Sequence, residues 1–378
     1  MINNKESKDI SSTKKVIVDG VPHAKYWQGD GNYLFHPMQA GRWLFQHPTK
    51  ENYDNLMKIA RDTENGGITW YYPDKYKLSR MIGREVTSCI SQAEFLSAFC
   101  NLYSKGIIGI DEVKKVFLSL KSKEINYQNY LLELPLVRNY PEVILNGWMH
   151  AITRLIDYYK LTNETDDLLE KTLKKLSESL HQFDDENNKI SKYSNLSIYK
   201  LKITNPDNPE IYYNGKNIFK LEENYSSSIY DCQLTNNKIK FSNATIGIPY
   251  EFSPKIFNEK PFSVEFNVGL YHNNITVPYG DGEKIILNSK PSQNRHVIKI
   301  ENENLFRGYP TPFTKINNEN YYHVYHIVAL EEIVKSYPSK YDKIFIEYVK
   351  KWESYIDDRN FTKKSEVEIN INKGKFYQ

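Results

Sequence analysis

Tyr321-Tyr322-His323-Val324-Tyr325-His326-Ile327 and, eighteen residues further on, Phe345-Ile346-Glu347-Tyr348-Val349-Lys350-Lys351-Trp352 read as a pair of C-terminal helices. Apolar and aromatic side chains recur three and four apart in both. Tyrosine and histidine are rare choices for packing a helix start and useful ones for moving protons. Helical reading therefore runs from Tyr322 through Tyr355. Residues 33–180 are also mainly helical in pattern: Glu51 to Thr63, Ser88 to Tyr103, a short helix from Asp111, Val143 to Tyr159 with Pro141 at its first turn, and an amphipathic run from Thr165 to Phe183.

The texture changes after Asp184. Short β-favouring runs follow, among them Leu196-Ser197-Ile198-Tyr199, Lys238 to Phe241, Phe262 to Val268, Lys284 to Leu287 and Val297 to Ile300. Turn signals such as Asn214-Gly215 and Gly280-Asp281-Gly282 lie between them. The expectation is a mainly α protein with a β-sandwich-like insertion. Residues 1–20 would be a flexible N-terminal segment. Residues 21–184 and 319–378 would be two parts of one helical domain, and 185–318 the β-rich insertion.

Composition bounds the classes. With 378 residues, 40% of them hydrophobic and 14% aromatic, the chain can bury a sizeable core. Its 30 tyrosines suit β-structure, and they also suit sugars, since a phenol offers a flat apolar face and a hydroxyl together. A net charge of +3 without an arginine-rich stripe does not point to nucleic acid. Cys89, Cys100 and Cys232 lack metal-type spacing and read as small buried hydrophobes in a reducing compartment. The polar start of the chain carries no secretory pattern and no window is apolar enough for a membrane span, so a cytoplasmic protein is expected.

Four segments, in order, resemble the catalytic domain of the D-glucuronyl C5-epimerases. His36-Pro37-Met38-Gln39 with Glu64-Asn65-Gly66-Gly67 before Trp70 and Tyr71 is similar to the family's His-Pro pair and Gly-Gly-Trp turn. Ile90-Ser91-Gln92-Ala93 resembles its Gln-Gly-Gln-Ala. Leu145-Asn146-Gly147-Trp148 matches its Leu-Asn-Gly-Phe, and Glu133 with Pro135 resembles its Glu-Tyr-Pro. Tyr322-His323 with His326-Ile327, followed by Phe345 to Trp352, is the fourth. The resemblance implies an incomplete α/α barrel, or toroid, and inversion at C5 of uronic acid residues in a polysaccharide such as heparosan, without a cofactor. There are departures. The tyrosine after the glutamate is Leu134, for which Tyr140 can substitute. Tyr193-Ser194 stands nearest to a Tyr-Asp-Leu-Arg-His segment, and Glu319 replaces an arginine. A cation for the substrate carboxylate is thus unassigned, with Arg80, Arg84 and Arg138 as candidates by neighbourhood.

Epimerisation beside a carboxylate takes a C–H proton from one face and returns one to the other, and it needs donors for the enediolate. The expected pair is Tyr322 and Glu133, with Tyr140 and Tyr193 lining the cleft. His323 and His326 would orient or polarise, Asn146 and Gln92 would hold hydroxyls, and Trp70, Tyr71 and His36 would contact sugar. Packing competes in each case: His326 also reads as a core histidine, Trp70 and Tyr71 as a core cluster, and Asn146 as a structural cap. No metal is expected, since only His323 and His326 are closely spaced. The expected partner is an acidic polysaccharide or oligosaccharide, and a homodimer is compatible. Two rivals stand beside the epimerase: a uronate polysaccharide lyase sharing the first proton abstraction, and a non-catalytic glycan-binding or assembly protein.

Overall fold

A computed structural model describes residues 15–25, 33–76, 85–133, 142–186, 189–205, 207, 210–213, 216–217, 229–230, 233–235, 238–240, 243–249, 255–268, 283–299, 309–310, 320–357 and 361–374. Nine α-helices and several small antiparallel sheets are present among them, and no closed barrel is formed by these elements. The helices are α1 (Pro37–Gln46), α2 (Lys50–Met57), α3 (Cys89–Ser104), α4 (Ile110–Ser119), α5 (Leu145–Thr162), α6 (Leu168–Ser179), α7 (Tyr321–Ser336), α8 (Asp342–Glu353) and α9 (Lys364–Asn372).

Helix α3 is the axis of the core. Its residues from Ser91 through Cys100 are all buried, because it packs against α1, α4 and α5 together. Helix α5 is buried from Leu145 through Tyr158 and carries the packing on to α7, which in turn contacts α8 and α9. A helix apolar on all sides is what enclosure by neighbours requires. Cys89 and Cys100 are buried free thiols in α3; Cys232 lies outside the described residues.

Five local readings are corrected. Lys15–Val18, expected in a flexible segment, is a strand paired with Val21–Lys25, which pairs in turn with Tyr33–Phe35. The helix read over Glu51 to Thr63 stops at Met57, and Arg61–Asp62 instead pairs with Ile68–Thr69 around the Asn65-Gly66-Gly67 turn. Helix α5 starts at Leu145 and not at Val143, because Ile144 is held extended by a bridge to Ser194. The expected C-terminal helix pair is present as α7 and α8, but the helical reading from Tyr322 through Tyr355 is not continuous: it is interrupted between Ser336 and Asp342 at Pro338. Helix α9 was not anticipated; its polar, asparagine-rich sequence gives a weak helical period.

The β runs form as expected. One sheet orders Ile229–Tyr230, Asn243–Pro249, Leu196–Thr204, Ser263–Val268 and Glu283–Asn288, with Tyr309–Pro310 also beside Leu196–Thr204. A second orders Lys216–Asn217, Glu210–Tyr213, Lys255–Asn258, Arg295–Lys299 and Lys290–Ser292. Alternation sets their faces: Ile256 and Ile298 are buried and directly paired. The Asn214-Gly215 and Gly280-Asp281-Gly282 turns lie outside the described residues.

Candidate functional site

Glu133 is the centre of the candidate site. It follows the short Tyr130–Leu131 strand and lies against the first turn of α5. Its Oε2 is sealed from solvent and has no hydrogen-bond partner among the described residues. Lack of solvation lifts its carboxyl to about 7, well above the ordinary carboxylate range. A carboxyl poised there exchanges protons readily at neutral pH.

Gly147 makes room for it. A Cβ at this position would overlap Glu133 Oε2 and stand 3.0 Å from Glu133 Cβ. Gly147→Ala is expected to displace the carboxylate, and the overpacked contact should cost about 1–3 kcal/mol of stability. Calorimetric scans of the variant beside the native protein check this. Asn146, the neighbour of Gly147, is buried with Oδ1 unpartnered.

Two phenols share the space. Tyr193 and Tyr322 meet edge to face with ring centroids 4.7 Å apart, and Tyr321 stands 5.3 Å from Tyr322. Burial, then the Glu133 charge, raise both the Tyr193 and the Tyr322 phenols above their ordinary range. Tyr193 is held from two sides: Leu145 N–H donates to its carbonyl at 2.9 Å, and the flanking Asn195 clasps Val143 through two hydrogen bonds at 3.0 and 3.1 Å.

The two histidines anchor this arrangement from behind. His323 and His326 are fully buried. Ser191 N–H donates to His323 Nδ1 at 2.9 Å, so the His323 proton sits on Nε2 and is donated to the Trp352 carbonyl at 2.9 Å. Ser191 Oγ lies 2.9 Å from His323 Nδ1 and 2.8 Å from His326 Nδ1. Burial, with His323 second, holds His326 well below the usual histidine range. Both rings tie α7 to the strand Ile190–Ser191, two residues before Tyr193.

Arg42, which the sequence reading did not select, is a partly exposed cation paired with the buried Glu94. Gly41 packs directly on the backbone of Glu94 and lets α1 approach α3 closely. Arg42 Nε then donates to Glu94 Oε1 at 2.6 Å, with the Arg42 side chain 31% exposed and Glu94 wholly buried. His150 Nε2 donates to the same oxygen at 2.9 Å, and the Tyr325 hydroxyl is 3.0 Å from His150 Nδ1. Burial alone would raise the Glu94 carboxyl; Arg42 and His150 reverse that and hold it far below the usual range. Burial, then Arg154, push His150 down to about 4, so it is neutral at physiological pH. Only Nε of Arg42 is engaged among the described residues. Its positive charge also opposes the rise of the Tyr321 and Tyr322 phenols, a smaller effect than burial.

The other expected site residues are distributed differently. His36 caps α1 and packs edge-on against Tyr72 and Tyr76, both at 5.1 Å; Tyr72 in turn feels the Glu133 and Arg42 charges. Gln92 is a buried clamp, donating to Thr87 Oγ1 at 3.1 Å and accepting from Ser119 at 3.1 Å. Trp70 is wholly buried, stacked on Phe95 at 3.7 Å and bonded to the Leu56 carbonyl. Tyr71 lies instead in an open cleft of about 320 Å³ shared with Arg61 and Glu85. Arg80, Arg84, Arg138 and Tyr140 lie outside the described residues, as do Leu134, Pro135 and Glu319. Among the described residues, no three His, Cys, Asp or Glu side chains gather as metal ligands, and no helix is long and apolar enough to cross a membrane.

No family model, no curated protein and no solved structure matches this chain.

Proposed function

We propose that this chain is a uronate C5-epimerase acting on an acidic polysaccharide, with its helices arranged as an incomplete α/α toroid. The observation that carries the reading is the buried, partnerless Glu133 Oε2 beside the Tyr193–Tyr322 pair. In this reading the substrate carboxylate docks on the unengaged nitrogens of Arg42. The Glu133 carboxylate takes the C5 proton, and the C–H electrons move into the sugar carboxylate to give an enediolate. The Tyr322 hydroxyl then delivers a proton to the opposite face, and Arg42 and Tyr193 donate to the enediolate oxygens. Proton exchange of Glu133 and the Tyr322 phenolate with solvent resets the pair. The reverse reaction exchanges the two roles.

Incubation in D₂O with heparosan oligosaccharides, followed by NMR, tests this. Deuterium is expected at C5, without the ultraviolet absorbance of an unsaturated uronate. Tyr322→Phe should slow incorporation by about a hundredfold, the lower end for loss of one acid–base group. Ultraviolet-absorbing product would replace the epimerase by a lyase. Binding without exchange, unchanged in Tyr322→Phe, would replace it by a glycan-binding protein.

A further inference from the structure

Behind Arg42 the interior holds an arrangement the proposed chemistry does not itself require. Glu94 Oε2 and Arg154 Nε and Nη1 are all buried without a hydrogen-bond partner among the described residues. They belong to groups of opposite charge that are near neighbours. A direct charge-assisted pair between them would be strong, so their separation needs a cause. The segment after α9 supplies one. Arg154 Nη2 donates to the Ile371 carbonyl at 3.1 Å and to the Lys373 carbonyl at 2.7 Å. The Ser97 hydroxyl donates to the Gly374 carbonyl. A Cβ on Gly374 would stand 3.2 Å from Glu94 Oε2 and 3.7 Å from Arg154 Nη2, so this backbone is wedged between the two charges.

We propose that residues 371–374 position Arg42 for a substrate carboxylate by holding Arg154 away from Glu94. The inference rests on the reading of Arg42 as the carboxylate-binding group. Glu94 has one oxygen on Arg42 and His150 and one to spare. Once the Lys373 and Gly374 carbonyls are gone, Arg154 keeps only the Ile371 carbonyl on Nη2 among the described residues, and the Glu94 carboxylate is the charged acceptor across the vacated backbone. Its planar fork takes the carboxylate bidentately. Arg42 then loses its anchor, and its guanidinium samples positions that no longer present a fork to the cleft. Arg154 is thus a positioning residue, acting through Glu94 on Arg42.

A chain ended after Asn372 as the C-terminal amide keeps α9 and the Ile371 carbonyl, adds no terminal carboxylate and removes the wedge. With heparosan oligosaccharides, KM is expected to rise about tenfold and kcat to change less than about twofold, as for a misplaced binding group. The ¹⁵N–¹H resonance of Arg42 Nε should move from its hydrogen-bonded position toward that of a free arginine. Adding Arg154→Met to the shortened chain removes the competing cation and should return both KM and the resonance to the full-length values. A segment that contributes only packing would not be rescued in this way. An unmoved Arg42 resonance in the shortened chain, or a defect that Arg154→Met leaves in place, overturns the proposal. Because the resonance is read without substrate, it decides the positioning even if the full-length chain shows no C5 exchange, a result that would overturn the epimerase reading instead.

Discussion

Glu133→Gln should reduce C5 proton exchange by at least about a thousandfold, since it removes the proton acceptor and leaves only orientation and electrostatics. The same substitution should make the protein harder to unfold at alkaline pH. The Glu133 carboxyl is held near 7 by its dry surroundings, against 4.5 for the free group. Between these values the folded chain keeps a proton that the unfolded chain has released. Its contribution is therefore fully present in acid and is lost as pH rises through about 7. The amide has no charge to desolvate at any pH. The variant should gain roughly 1–3 kcal/mol over the native protein near pH 8 and close to nothing near pH 4. Urea unfolding at the two pH values reads this difference. In the native protein, the C5 exchange proposed above should rise with pH through about 7 as the carboxylate forms. A Glu133→Gln protein that still exchanges C5 protons would remove Glu133 from the reaction.

Arg42→Met is the second large effect, and it separates charge from shape. Loss of the guanidinium leaves the buried Glu94 with His150 alone on its engaged oxygen. An uncompensated buried carboxylate costs about 3–5 kcal/mol. The partial exposure of Arg42 brings the expected loss to about 2–3 kcal/mol. KM for the glycan should rise by about a hundredfold, the scale of one lost charged contact to substrate. Arg42→Lys keeps the charge without the fork, so most of the stability should return while KM stays elevated. Unfolding and steady-state kinetics on the two variants check the split. A wild-type KM in Arg42→Lys would mean that no carboxylate is held there bidentately.

Much of the helical framework is readable in the sequence, because one-sided burial imposes its period on α4 and α6, and a sustained apolar run marks α3. Glu133, Tyr193 and Tyr322 are also readable, by resemblance, and the fold gathers them at one place. His323 and His326 stand out in sequence for the right reason and the wrong direction. Their helix is buried on several sides, so spacing alone does not tell a cleft-facing ring from one pointing to Ser191 and Trp352. Arg42 was missed because a lone arginine on an amphipathic helix looks like a solvated face. A signal was available in its partner. Glu94 lies between Ala93 and Phe95 in a helix with almost no other charge, and a carboxylate there must be paired. Ala40-Gly41 marks a helix surface small enough to bring such a partner close. Trp70 and Tyr71 show the limit of local reading: adjacent in sequence, one is sealed in the core and the other opens to a cleft.

The Ser191–His323 contact spans 132 positions of chain, and the strands of the two larger sheets lie between its ends. Bringing those ends together is an entropic debt that local helix formation does not repay. The rate of folding is therefore governed by a late, long-range closure and not by the quickly formed α3–α5 neighbourhood. During synthesis the ribosome must release α7 and α8 before Tyr193 and Tyr322 can meet. A nascent chain with its first helices already packed still lacks the Ser191–His323 and Tyr193–Tyr322 contacts, which form only when its last helices arrive.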